Sequence, residues 1–241
     1  MNSFGWDNFW RDQKQSFNTV MKIGTTFFAI QLERQFQLKP TDQILDYGCG
    51  PAFLADYLIP KNISVTGADI NKSFITESQK HHPSCLFINI TADAKTNKKI
   101  LHDHLGTKQF DFIILLSIIQ YFKNNNELED VIRLLRYYLK KEGSLILADV
   151  LNENTSSVKD AVSLLFHCIK RGETIAFFQF MFYLMFSNYS KLSRKINLLS
   201  LSEPTIRQIA ANNALKCVQV NGLTIHPSRT NYLLTNISGE S

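Results

Sequence analysis

The chain has 241 residues, 44% of them hydrophobic, which suits one large domain with a good core or one domain plus an insertion. Its net charge of +5 is modest, and the first 150 residues lack the dense basic stripe of nucleic-acid binders, so no nucleic-acid partner is expected. Cys49, Cys85, Cys168 and Cys217 lie far apart, with no C-x-x-C pair and no histidine at zinc-ligand spacing, which argues against a disulfide framework and a metal site.

The N-terminal stretch MNSFGWDNFWRDQKQ is polar and of mixed charge, without the basic start, apolar run and cleavage site of a signal peptide, and the expected location is the cytoplasm. From Leu45 onward, apolar strands alternate with helical stretches, the pattern of a parallel sheet with crossover helices on both faces. The first strand is expected over 43–46, followed by a helix over 53–59 that stops before Pro60. A second strand over 64–69 leads to a helix capped by Asn71 that runs to about Lys80. The third strand, CLFINI, ends near Ile90, and a polar helix over 95–105 precedes the fourth, FDFIILLS, whose unbroken apolar run indicates burial on both faces. ELEDVIRLLRYYL has helical periodicity, with Leu128, Ile132, Leu135 and Leu139 on one stripe, and GSLILADV is the fifth strand. Ser202 caps a last helix with Pro204 near its start, after which LKCVQVNG and TNYLLTN read as two strands.

The segment QILDYGCGPAFLADYL places an acid, Asp46, at the end of the first strand, then a tight turn through Gly48 and Gly50, then a helix. Asp69 ends the second strand twenty-three residues later, the spacing at which a βαβ unit offers a carboxylate to a ribose diol. A nicotinamide-binding turn needs a small residue three places after its second glycine, where this chain has Phe53. These residues resemble the cofactor site of class I S-adenosylmethionine (SAM) methyltransferases, with Ala52 standing where a third glycine is common. The resemblance covers about 42–150 and 202–236. It implies an α/β, Rossmann-like sheet of seven strands, mostly parallel, with a helical cap inserted.

The implied organisation is an N-terminal helical cap over 1–40, a SAM-binding core over 41–150, a cap or lid over 151–200, and the end of the core over 201–241. By the same resemblance, Gly48 and Gly50 let the backbone approach the cofactor, and Asp46 helps hold its amino end. Asp69 would take the ribose hydroxyls and Ile70 would lie against the adenine. Ile90 and Thr91, with Asp93, follow the third strand where the adenine amino group is read. Ser117 would lie beneath the cofactor, with Gln120 and Tyr121 near the transferred methyl. Among six histidines, His226 stands out, because TIHPSRTNY links the last two strands on the cofactor side; it is the candidate general base, with Arg229 beside it to stabilise an oxyanion. His167 has a weaker claim.

Residues 151–200 shift sharply in composition. TIAFFQFMFYLMF holds one strongly polar residue, Gln179, within 175–186, too short a run to cross a bilayer, which takes about 20 residues. Residues 156–196 contain six Lys or Arg against Asp160 and Glu173. Three readings stay open for the aromatic run: plain core; a lid whose rings, Phe178 and Phe182 among them, enclose an apolar or aromatic acceptor; or a helix lying in a membrane surface. Phe4, Trp6, Phe9 and Trp10 are read as closing over the cofactor from the other side. The function expected is SAM-dependent methyl transfer to a small, apolar or aromatic molecule. The alternative is a non-catalytic, membrane-peripheral protein that retains a SAM-binding site.

Overall fold

In the computed structural model, which describes residues 15–186 and 198–237, the chain opens on a 22-residue helix, α1 (Gln15–Phe36). The aromatic group Phe4, Trp6, Phe9 and Trp10 lies outside the described residues. Strand and helix then alternate: β1 (Gln43–Tyr47), α2 (Phe53–Leu58), β2 (Ser64–Asp69), α3 (Lys72–His81), β3 (Leu86–Asn89), α4 (Ala94–Leu105), β4 (Phe110–Leu116), α5 (Asn125–Arg136) and β5 (Leu139–Val150). Two helices follow in succession, α6 (Ser157–Lys170) and α7 (Thr174–Phe186), before α8 (Glu203–Asn212), β6 (Leu215–Val220) and β7 (Thr230–Asn236).

Local chemistry sets the starts of these helices. Asn71, Asp93, Asn124, Ser156 and Ser202 each turn a side-chain oxygen onto a first-turn N–H of the helix that follows, an arrangement that contributes about 1 kcal/mol per cap. Pro60 ends α2 by forcing a short 3₁₀ turn, Ile59–Lys61, instead of another α-turn.

The seven strands form one sheet in the order β3-β2-β1-β4-β5-β7-β6. All neighbouring pairs are parallel except those made by β7, which runs antiparallel to both β5 and β6. Strand order reverses beside β1, between β1 and β4, so the carboxyl ends of these two strands open a crevice.

Because successive strand residues face opposite sides, Leu45, Ile113 and Leu147 join one apolar cluster while their neighbours Ile44, Ile114 and Ile146 join another. The first cluster is completed by Leu101 of α4, Leu128 and Ile132 of α5, and Ile206 of α8; the second by Phe28 and Leu32 of α1, Leu54 and Leu58 of α2, and Ile75 of α3. A third, smaller cluster joins Val20 and Ile23 of α1 to Leu164 and Cys168 of α6, Phe177 of α7 and Ile225.

One expectation needs correction. Leu139 does not extend the helical stripe of Leu128, Ile132 and Leu135; α5 ends at Arg136 and Leu139 begins β5, paired with Phe110. Phe110 donates its N–H to Tyr138 O at 2.8 Å, which draws the chain into the sheet one turn early. The side chain is buried in the same cluster either way, so its apolar character could not distinguish helix from strand.

Candidate active site

The crevice is built first from β1 and β2. Asp46 lies opposite Gly67 of β2 and Ile114 of β4, in the middle of the sheet. Gly48 and Cys49 both donate their N–H to Ala68 O, at 2.7 and 3.1 Å, which folds the chain sharply back after β1. This turn demands glycine at 48: its φ is +90°, and a Cβ there would sit 2.6 Å from Ile118 Cγ2. Gly50, at φ +51°, differs because a Cβ built on it meets nothing within 4 Å and would project into open space. Gly48→Ala is therefore expected to destabilise the fold by about 2–4 kcal/mol, from left-handed backbone plus overpacking. Gly50→Ala is expected to retain more of the stability and instead weaken cofactor binding; urea unfolding beside calorimetry separates the two. Ala52 also adopts left-handed backbone, at φ +60°, a conformation in which glycine carries no penalty.

Asp69 closes the other side of the turn. Its carboxylate accepts from Gly50 N at 2.9 Å and from Asn71 N at 2.7 Å. The helix cap belongs to Asn71, whose Oδ1 accepts from Ser73 N and Phe74 N, so Asp69 is not the capping residue of α3. Ile70 follows, 41% exposed, an apolar surface beside the carboxylate. Ile90 is buried, and Thr91 is bound inward: its N–H and Oγ1 both reach Asn97 Oδ1, at 2.8 and 3.0 Å. Asn97, fully buried, also donates to Tyr47 Oη and to Thr91 O, and thereby ties the loop after β3 to the end of β1. Asp93 caps α4 through Thr96.

Burial, and next the charge of Asp69, push the Asp46 carboxyl up to about 7, and no hydrogen bond or cation among the described residues offsets them. The same burial pushes the neighbouring Cys49 thiol up as well, with Asp69 and Asp46 adding to it.

The second half of the site comes from β4, β5 and the loop before β7. Ser117 and Asp149 leave their strands in left-handed backbone, at φ +57° and +65°, and Ser117 Oγ donates to Asp149 Oδ2 at 2.6 Å. Such conformations concentrate where a site has to aim side chains. The register of β5 against β7 slips between Leu147 and Val150, and Asn231 Oδ1 takes the freed Asp149 N–H at 2.9 Å. The Asp149 carboxylate, almost fully buried, also accepts from His226 Nδ1 at 2.7 Å and from Arg229 Nη1 at 2.7 Å. Burial would raise this carboxyl, but Arg229, His226 and the Ser117 hydrogen bond together outweigh it and hold the group well below the usual carboxylate range.

An ionised carboxylate only accepts, so Nδ1 of His226 is the donor of this bond, and in the neutral ring the lone pair is on Nε2. The ring is 21% exposed, and no described residue bonds Nε2. Asp149 was not among the sequence-based candidates; its signal was an acid near the end of the fifth apolar run, GSLILADV, as Asp46 and Asp69 stand near the ends of the first and second. Arg229 also departs from expectation. Its Nη1 and Nε lie on Asp149 and Asp160, the latter at 3.0 Å, so it clamps two buried carboxylates instead of facing an oxyanion. Asp160 of α6 further accepts from Ser228 Oγ at 2.7 Å, which fastens the inserted helix to the loop that carries His226.

Tyr121 lies near Arg229, whose basicity Asp149 and Asp160 raise against the effect of burial, and the neighbouring Gln120 is buried, donating to Ser117 O at 2.7 Å while its Oε1 has no partner among the described residues. His167 stacks edge-to-face on Phe27, ring centres 4.8 Å apart; burial, then Lys170 and Arg171, disfavour its charged form. Phe178 and Phe182 face outward, 61% and 64% exposed, while Phe177 of the same helix is buried against α1. Among the described residues no group of His, Cys, Asp and Glu can hold a metal ion.

A family model described as a methyltransferase domain matches residues 38–196. The chain belongs to that family. Solved structures agree on the fold. Magnesium protoporphyrin IX methyltransferase from Synechocystis PCC 6803, with bound SAM, superposes with a TM-score of 0.58 at 17% identity, over 98% of this chain and 93% of that one. A TehB-like SAM-dependent methyltransferase from Corynebacterium glutamicum superposes with a TM-score of 0.55 at 12% identity, over 88% of each chain. In sequence, the chain is 25% identical over 118 residues to a ubiquinone biosynthesis O-methyltransferase from Hydrogenovibrio crunogenus. That match spans 47% of this chain and 45% of the relative, less than half of either. The sheet is thus the Rossmann-like methyltransferase fold.

Proposed function

We propose that the protein transfers a methyl group from SAM to an ionisable hydroxyl on a small, largely apolar molecule. The observation that carries this reading is the Asp149–His226 pair, an imidazole held in one tautomer with Nε2 facing away from the carboxylate. An acceptor that needed only alignment would have no use for such a base.

The residues fit the cofactor. The open space at Gly50 admits a ligand against the backbone, and among the described residues the buried acid Asp46 has no cation beside it and the buried acceptor Gln120 Oε1 has no donor. Asp46 would hold the cofactor's ammonium, Asp69 its ribose diol and the exposed face of Ile70 its adenine, while Ser117 lies below. When bound, SAM supplies an electrophilic methyl on sulfur and leaves as S-adenosylhomocysteine once the acceptor oxygen has taken it. His226 Nε2 takes the hydroxyl proton as the new C–O bond forms, and Asp149 stabilises the imidazolium that results. Tyr121 borders the acceptor. Helices α6 and α7, with the start of α1 packed against them, act as a cap over the acceptor, and Asp160 holds α6 to the base loop. The oxygen acceptors named for the Hydrogenovibrio relative and for a putative O-methyltransferase from Nostoc punctiforme support this choice of atom.

Calorimetry with SAM and with NAD, followed by S-adenosylhomocysteine formation over a panel of phenols, tests the reading. Micromolar SAM binding, no NAD binding and turnover with at least one phenol are expected. Asp69→Ala is expected to weaken SAM by roughly 1–3 kcal/mol, since charge-assisted hydrogen bonds are lost. Binding of NAD in preference to SAM would overturn the cofactor assignment, and SAM binding without turnover would favour a non-catalytic binding protein.

A further inference from the structure

Helices α6 and α7 each carry two apolar stripes, one packed against α1 and one exposed. The inner stripes meet α1 through Leu164, Cys168 and Phe177. On α6, Val158, Val162, Phe166 and Ile169 form the second stripe at spacings of four, four and three, all 54–74% exposed. On α7 the second stripe is Ile175, Phe178, Phe182 and Met185, all 61–75% exposed. Together they supply eight of the thirteen large hydrophobic residues that are exposed among those described, which makes this one coherent face and not scattered surface.

Charge says what covers it. Lys159 and Lys170 of α6 and Arg171 of the turn before α7 stand exposed against Glu173 of the same turn, while Asp160 is buried and neutralised by Arg229. Lys170 Nζ sits 4.3 Å from the Phe166 ring centre, an ammonium at the margin of the apolar stripe, as lysines lie where an apolar surface meets anionic headgroups. Protein interfaces tend to exclude lysine, so a second copy fits this rim less well. The thirteen residues of α7 span about 20 Å, short of the roughly 30 Å of a bilayer core, and no helix among those described is long and apolar enough to cross one. The helix can lie in a membrane surface but not through it.

The face also borders the loop that carries His226: Val158, Lys159, Val162, Ser163 and Phe166 line an open groove of about 500 Å³ together with Pro227, next in the chain to His226. Ser163 Oγ donates to Ile225 O at 2.6 Å and so fixes that loop.

We propose that the outer face of α6 and α7 docks on an anionic lipid surface, and that the apolar acceptor passes from the lipid along this groove to His226. The docking stands on the exposed stripes and their basic rim; the route for the acceptor rests on the function proposed above. Flotation of the full chain with vesicles tests docking with neither cofactor nor acceptor present, so its result is independent of methyl transfer. Vesicles of phosphatidylcholine with about 30 mol% phosphatidylglycerol should carry the protein upward at low salt, and phosphatidylcholine alone should not. Binding should weaken in about 0.5 M salt. Lys170→Glu with Arg171→Glu, and separately Ile175→Ser with Met185→Ser, should each lower the partition coefficient at least tenfold, with thermal unfolding unchanged because all four side chains are exposed. Absence of flotation at low salt, or flotation unaffected by either pair, overturns the proposal. A dimer in sedimentation velocity that the Ile175 and Met185 substitutions dissociate also overturns it, since the face then belongs to a second copy.

Discussion

His226→Asn is expected to lower kcat by about 10²- to 10⁴-fold while SAM affinity stays within about twofold. The asparagine amide can still donate to Asp149 Oδ1, so the buried carboxylate keeps its three side-chain partners and the fold is spared. What disappears is the Nε2 lone pair. Asp149→Asn is a less clean test: it deprives the buried Arg229 guanidinium of one of its two carboxylates, and breaking such a pair costs about 3–5 kcal/mol. Phenols of higher pKa should suffer more from the substitution, because they depend more on proton removal. A variant with full kcat across about pH 6–9 would refute the assignment and leave alignment alone as the source of rate.

The sheet was legible in the sequence because its strands carry a local signal, unbroken apolar runs that end on Asp46, Asp69 and Leu116. The helix starts were legible for the same reason, since Asn71 and Ser202 cap the helices that immediately follow them. His226 could be singled out by position, as a histidine in the loop before a strand that returns antiparallel. Its partner could not. Asp149 and His226 are 77 residues apart, and the left-handed turn that aims Asp149 across β5 arises from a slip in register against β7, a tertiary event with no local pattern. Arg229 illustrates the same limit: next to a candidate base an arginine reads as an oxyanion partner, but Asp160, supplied by an inserted helix 69 residues earlier, claims it. The aromatic run of α7 hid its orientation for another reason. When nearly every position is apolar, periodicity cannot say which side faces in, and packing against Val20 and Ile23 decides it.

Asp46→Asn is expected to make the protein more stable and its cofactor weaker, two effects of opposite sign from one buried charge. In the folded protein the Asp46 carboxyl is raised to about 7 from an ordinary value near 4, because ionisation there places a charge in the middle of the sheet and beside Asp69. A group raised on folding contributes stability that is fully present below its unfolded pKa and is lost as pH rises through the folded one. Native stability attributable to this residue should therefore decline between about pH 4 and pH 7. Asparagine cannot ionise, so at pH 8 the variant should exceed the native protein by roughly 2–4 kcal/mol, and at pH 4 the two should converge. The bound cofactor reverses the advantage. Its ammonium supplies the counter-charge that the described residues do not, and favours the ionised carboxylate that asparagine lacks. SAM affinity should fall by about 1.5–3 kcal/mol in the variant, and in the native protein it should rise with pH up to about 7 as binding releases the Asp46 proton. Denaturant unfolding of the cofactor-free protein at the two pH values, with calorimetry in buffers of different ionisation enthalpy, measures both halves. A variant less stable than the native protein at pH 8 would mean that the carboxylate already has a compensating partner, and the crevice would not then be waiting for a cation at Asp46.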